Sequence, residues 1–320
     1  MGSFDFQFGA KDEVSFGSAV VVDRFFEYSG DAMPIKGVPG RTEGNPLRVG
    51  SRARRGSRVV PYLDHVEGTV PLDIMTKDFS FWLKHMLPSV VTAGAGPYTH
   101  TATEGASSAS VGKSFTAQFN VPFHPAGTNQ AITVSGGKVP KWKISGAVDE
   151  MLTCELDLWA ASMTTATALA TASYTASAAN FAWTHAVVSI GGSAVDLISF
   201  EVEVDQGYNL GRKQIRGNSA PKEPTPGPLG ITINAECDFE SLTQWNRVHA
   251  TSAASLSAAF VLTATNGTDI LSLTVPAWRL DDLSFGGDLG GLTQDLSGVG
   301  EYNGTDSPIT LVVTSSQATA

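Results

Sequence analysis

The segment Val139-Pro140-Lys141-Trp142-Lys143-Ile144-Ser145 returns 136 residues later as Val275-Pro276-Ala277-Trp278-Arg279-Leu280-Asp281. Val, Pro and Trp are identical, Lys143 is matched by Arg279, and Ile144 by Leu280. That period is far longer than a solenoid repeat and close to the size of one ordinary domain. The chain of 320 residues is therefore expected to hold two β-domains in tandem. The expected division is residues 1–18 as an N-terminal arm, 19–160 as the first copy, 161–180 as a linker rich in Ala, Thr and Ser, and 181–320 as the second copy.

Each copy opens on a β-branched and aromatic stretch, residues 19–28 and 194–204, which predicts a strand. A long polar segment rich in Pro, Gly and basic residues follows, residues 29–65 in one copy and 206–230 in the other, and loops of that length in compact domains usually carry function. Next comes a strand, then a helical stripe: Phe79, Trp82, Leu83 and Met86 after Asp78, and Phe239, Leu242 and Trp245 after Asp238. The two Asp residues are the expected N-caps, and each helix is expected to cover one face of a sheet. The repeated Trp segment then leads into a return strand, residues 152–158 and 292–297. The fold class is mainly β.

Charge is unevenly spread. Seven of the 21 Lys and Arg residues fall within 36–58 and four within 212–222, with Glu43 the sole acid in those spans, so the remainder carries ten basic and thirty acidic residues, a net of −20. Two basic arms on an acidic body suit attraction between copies better than nucleic-acid binding, because aromatics are not interleaved with Arg52, Arg54, Arg55 and Arg58. Neither end carries a charged-then-apolar signal pattern and no stretch has about 18 uninterrupted apolar residues, so a soluble, unsecreted chain with no membrane partner is expected. Cys154 and Cys237 lie in different halves without ligand spacing and are expected to be reduced, buried thiols.

Catalytic signatures are weak. The six His residues are dispersed without zinc spacing, no nucleophile elbow is present, and Gly112-Lys113-Ser114 lacks the upstream glycine of a phosphate loop, so no metal, cofactor or enzymatic activity is expected. Glu155 and Asp157 alternate with Leu156 and Leu158, and Glu201, Glu203 and Asp205 alternate with Val202 and Val204. Acids on one face of a strand over apolar residues on the other describe a solvated sheet face or an acidic wall rather than two carboxylates across a glycosidase cleft. A carbohydrate- or surface-binding β-sandwich would need exposed aromatic platforms, whereas the six Trp residues alternate with polar residues in strands or lie on helical stripes.

The opening residues 8–20 (Phe-Gly-Ala-Lys-Asp-Glu-Val-Ser-Phe-Gly-Ser-Ala-Val), the Arg24-Phe25-Phe26-Glu27-Tyr28 stretch, the segment ending Leu83-Lys84-His85-Met86-Leu87, and residues 164–174 resemble the major tail tube proteins of long-tailed bacteriophages. The resemblance implies a β-sandwich domain with one flanking helix, whose inner sheets close into a β-barrel ring. Rings would stack into a virion tail tube, made in the host cytoplasm, through which double-stranded DNA passes without specific binding. It also implies tape-measure, terminator and distal tail proteins as partners. By position, Glu155, Asp157, Glu201, Glu203 and Asp205 become candidate lumen residues. Arg48, Arg52, Arg54, Arg55, Arg58, Arg212, Lys213 and Arg216 become candidates for contact with the adjacent ring. With two copies per chain, six domains would need three chains, so a homotrimeric ring with pseudo-sixfold symmetry is expected.

Overall fold

The structure, a computed structural model, describes residues 6–28, 33–44, 56–123, 128–252, 256–288 and 291–320. The first half contains β1 (Gln7–Asp12), β2 (Arg24–Phe26), β3 (Ile35–Glu43), β4 (Val59–Asp73), helix α1 (Ser80–Met86), β5 (Ser89–Ala93), β6 (Tyr98–Thr103), β7 (Phe115–Phe123), β8 (Thr128–Ala147), β9 (Thr153–Ala160) and β10 (Ser162–Thr164). The second contains β11 (Ala186–Ile190), β12 (Ser193–Ala194), β13 (Leu197–Asp205), β14 (Gly230–Asp238), helix α2 (Thr243–Val248), β15 (Ser257–Asn266), β16 (Asp269–Asp288), β17 (Gly291–Gly300) and β18 (Thr310–Ser315). Strands take 55% of the described residues and helices 8%, so the fold is mainly β.

The repeated Trp segment lies in β8 and β16, which at 20 residues are the longest strands described. Each serves two layers. The first part of β8 pairs with β7 and β10, and its last part pairs with β9 and β13. Likewise β16 begins between β15 and β18 and ends beside β17. The change of partners in β8 falls at Gly136, Gly137 and Pro140. Gly136 has φ +68°, and a Cβ there would meet Ala161 at 2.9 Å, so only glycine fits the bend. Between the layers lies one continuous apolar core that includes Trp82, Trp142 and Trp278, all essentially without exposed surface.

An antiparallel run crosses the whole chain in the order β3-β4-β9-β8-β13-β14-β17-β16. The first four strands and the last four repeat one pattern of pairing, and β8 joins β13 edge to edge. In the other layer the β5–β6 hairpin of the first half pairs with β18 of the second, from Thr103 opposite Thr310 to Tyr98 opposite Ser315. The following residues also return to the first half. Gln317 Nε2 donates to Asp78 Oδ1 (2.7 Å), the Asp78 amide donates to Gln317 Oε1 (2.6 Å), and His100 Nε2 lies 2.9 Å from the Gln317 carbonyl. Residues 161–180 are tied to the first half as well: Gln7 Nε2 donates to the Ala170 carbonyl (2.8 Å), and the Thr76 amide to that of Ala179 (2.7 Å).

Several local expectations change. Only Arg24–Phe26 of the predicted opening strand is extended, and the polar segment after it contributes β3 and the start of β4. Pro39 and Gly40 are tolerated there because β3 pairs with β4 alone among the described strands, with a register shift at Val38 and Pro39. Neither Asp caps a helix by its side chain. Asp78, at φ +69°, precedes the cap residue Phe79 and turns toward Gln317, whereas Asp238 ends β14. Trp183 is exposed, unlike the buried Trp82, Trp142, Trp159 and Trp278. Both cysteines are free and buried, and burial pushes both thiols up.

Candidate functional site

Alternation along the eight-stranded run gives it two chemically distinct faces. Val70, Leu72, Cys154, Leu156, Trp142, Ile144, Val202, Val204, Ile233 and Leu296 turn into the core. Residues between them, including all five predicted acids, form the opposite, polar face. Pairing of β9, β8 and β13 brings those acids together around two lysines. Lys143 stands opposite Glu155 on one neighbour and Glu203 on the other; Lys141 stands opposite Asp157 and Asp205.

Toward β13 the lysine side chains lean diagonally across that register. Lys143 Nζ lies 2.9 Å from Glu155 and 3.3 Å from Glu201, and Lys141 Nζ lies 2.8 Å from Glu203. Hydrogen bonds to Glu203 and Glu155 raise the Lys141 and Lys143 ammonium groups, respectively, above their ordinary value. Asp157 accepts from the Thr69 hydroxyl (2.6 Å), and Asp205 from the Gly207 amide (2.7 Å). Toward the second half the face is hollowed into a depression of about 510 Å³. Glu150, Glu201, Glu236, Asp282 and Asp295 line it beside Ser145, Asn234 and Ser297, and no lining residue is basic.

Sequence reasoning missed Lys141, Lys143, Glu236, Asp282 and Asp295. The signal for the lysines was present, since both flank Trp142 at period two and must share the face that Trp142 avoids. The hairpin carrying Asp282 and Asp295 was harder to see, because a register shift between Leu280 and Asp282 moves the acids of β16 off simple alternation.

At the rim where β13 ends and β14 begins, the loop of residues 206–229 folds back onto the first half. Lys138, almost fully buried, lies 2.7 Å from Glu223 and donates to the Ser110 carbonyl at 2.8 Å. Burial lowers the Lys138 ammonium and the Glu223 carboxylate opposes that shift. On this anchored loop, Arg212 donates to the Glu223 carbonyl (2.7 Å) and Arg216 to the Ala220 carbonyl (2.7 Å). Lys213 bonds Asp64, whose carboxyl it lowers, and sits 5.8 Å from the Tyr62 ring. Arg58 is exposed on a one-turn 3-10 helix leading into β4 at the same rim. Arg48, Arg52, Arg54 and Arg55 lie outside the described residues. Among the described residues no group of three or more His, Cys, Asp or Glu is placed to hold a metal ion.

Among the described residues the acidic polar face carries no evident catalytic constellation, and comparison with known families places the chain. A family model described as phage tail tube protein matches residues 4–311, a span that includes β1 to β17 and the start of β18. The chain belongs to the phage tail tube protein family. No curated protein matches it. As a tail tube protein it is a structural component of the virion tail, and membership implies that it assembles with copies of itself and with other tail components.

Proposed function

We propose that the two halves are copies of one domain, that three chains close a ring of six such domains, and that stacked rings form the conduit for DNA ejection. The observation that carries this reading is the β8–β13 pairing. It joins the last inner strand of one half to the first inner strand of the other, and the chain ends its run on the same two kinds of edge, β16 and β3. Among the described residues the last part of β16 pairs only with β17, and β3 only with β4. An edge of β16 meeting β3 of the next chain repeats the internal junction, and a heterologous contact of that kind closes a ring while removing exposed edges.

Charge supports the same partner. In the internal junction β8 brings Lys141 and Lys143 to Glu201 and Glu203 of β13. At the open edges β16 brings Asp282 and the Arg279–Asp281 pair, and β3 brings Arg41 and Lys36, the latter paired with Glu67. Three runs of eight strands at about 4.8 Å spacing give a circumference of about 115 Å and a diameter of about 37 Å before strand tilt widens it. The polar face then lines the bore. Its carboxylates repel phosphate, and Lys141 and Lys143 are already engaged by carboxylates, which leaves the polyanion little to hold it. The basic rim, with Arg58, Arg212, Lys213 and Arg216, is assigned to the junction between rings.

Native mass analysis of single rings tests the closure: three chains per ring are expected, and six would show that the second half stands outside the tube wall. Reversing Glu155, Asp157, Glu201, Glu203 and Asp205 to Lys should slow or block DNA ejection from particles that still assemble. Unchanged ejection would remove these residues from the bore.

A further inference from the structure

At the rim opposite the basic loop, an apolar groove of about 350 Å³ opens between the β8–β9 turn and the segment running from residue 183 into β13. Val148, Leu152, Trp183, Val187, Val195 and Leu197 line it. Trp183 is 42% exposed, Val148 45% and Val187 61%. So much large apolar surface at one place marks an interaction site. The exposed carboxylates of Asp149, Glu150 and Asp196 stand on the segments that border it, and the Trp183 amide donates to the Glu150 carbonyl (3.0 Å), which fixes that border.

The matching feature is at the other end of the same strand. β13 runs from Leu197 beside the groove to Asp205, where the loop of residues 206–229 begins. On that loop Ile215 is fully exposed, with Lys213 and Arg216 close in sequence. Nine residues of strand separate groove from loop by about 30 Å. The Lys213–Asp64 and Lys138–Glu223 pairs hold the loop at its own rim, so Ile215 cannot fill the groove of its own chain.

We infer that the groove receives the 206–229 loop of a second copy, with Ile215 entering among Trp183, Val187 and Val195 while Arg216 approaches Asp196 and Glu150. Apolar plug and apolar groove, basic flank and acidic border are complementary in both respects. Because they sit at opposite ends of one strand, the contact is head to tail and propagates as an open stack. The inference rests on the proposed stacking of rings and names the surface that receives the loop.

Paired substitution Ile215→Cys and Val187→Cys tests it, since native Cys154 and Cys237 are buried and do not compete. After mild oxidation of polymerised protein, the expected result is an open-ended ladder of disulfide-linked chains on a denaturing gel. Neither single variant should give a ladder, nor should Ile215→Cys combined with Val91→Cys on the other layer. In parallel, Ile215→Asp should raise the concentration needed for polymerisation about tenfold or more, as loss of one apolar anchor predicts. A series that stops at three chains would put the contact within a ring and overturn the inference. Stacked filaments that do not cross-link would overturn it too, while leaving stacking intact. Native rings that never stack would overturn both.

Discussion

Helix α1 follows β4 and helix α2 follows β14, at equivalent places in the two runs of strands, yet their depths differ. In α1, Trp82, Leu83 and Met86 have no exposed surface, and Ser80, Phe81 and His85 are buried with them. In α2 only Gln244 is buried, while Trp245 stacks on Phe285 and His249 near the protein's edge. Sequence explains the difference: Phe81-Trp82-Leu83-Lys84-His85-Met86 is apolar on most sides, whereas Thr243-Gln244-Trp245-Asn246-Arg247-Val248 offers a narrow stripe. Depth in turn decides which tryptophan of the repeated segment is satisfied. Trp142 Nε1 donates to the Met86 carbonyl at the end of α1 (3.1 Å), and that carbonyl also accepts from Gln206 of the second half. Among the described residues no partner reaches the buried Nε1 of Trp278. The two runs share the order of their strands more closely than the depth of what packs on them.

The harshest test of this contrast is truncation at each helix. Trp82→Ala should cost about 3–5 kcal/mol and Trp245→Ala roughly 1 kcal/mol, read from denaturant midpoints. Equal losses would mean that both helices are structural to the same degree. Next in size, Gln317→Ala removes the partner of the Asp78 amide and carboxylate beside α1. A loss of about 1–3 kcal/mol is expected, because a buried N–H is left without an acceptor. A tail that contributes nothing would leave the unfolding curve in place.

The two tryptophans offer a finer comparison. Trp142→Phe leaves the Met86 carbonyl with one donor fewer, while Trp278→Phe deletes an N–H that has no partner. The first should be the more costly by about 1 kcal/mol, and the reverse order would show that Trp278 has an acceptor in solution. The smallest effect concerns Asp12, which joins β1 to α1 through Lys84 (2.6 Å) and His85 (3.0 Å). Burial alone would raise the Asp12 carboxyl, but hydrogen bonds from His85 and Lys84 outweigh it and bring it to about 2. A depressed carboxyl adds stability that is present above its unfolded value of about 3.9 and is lost as pH falls toward the folded value. With the side chain 44% exposed, the screened contribution is roughly 1 kcal/mol or less. Asp12→Asn should therefore flatten the loss of stability between about pH 4 and pH 2, and an unchanged acid limb would assign that loss to other carboxylates.

The repeated Trp segment, the return strands and the acids at period two were legible because each signal is local. β8, β9, β13, β16 and β17 follow from them, and so does the shared face of Glu155, Asp157, Glu201, Glu203 and Asp205. What escaped was set by partners far away in the chain. β3 forms despite Pro39 and Gly40 because β4 supplies its ladder, and Asp78 looks like a cap until Gln317, 239 residues later, takes its side chain. The crossing of β5 and β6 to β18 has no signature within either segment.

That crossing has a mechanical meaning for the proposed ring. Two kinds of junction alternate around it. Three are internal to a chain, bound by the β8–β13 ladder in the bore, by the β6–β18 ladder in the other layer and by residues 317–320 lying along α1. The other three would join separate chains, and among the described residues no hairpin stands between α2 and β15. A tube of this kind is a wall of alternating stiff ribs and softer seams. Under bending load or internal pressure it yields along three lines, so its compliance has threefold periodicity even where its outline is sixfold.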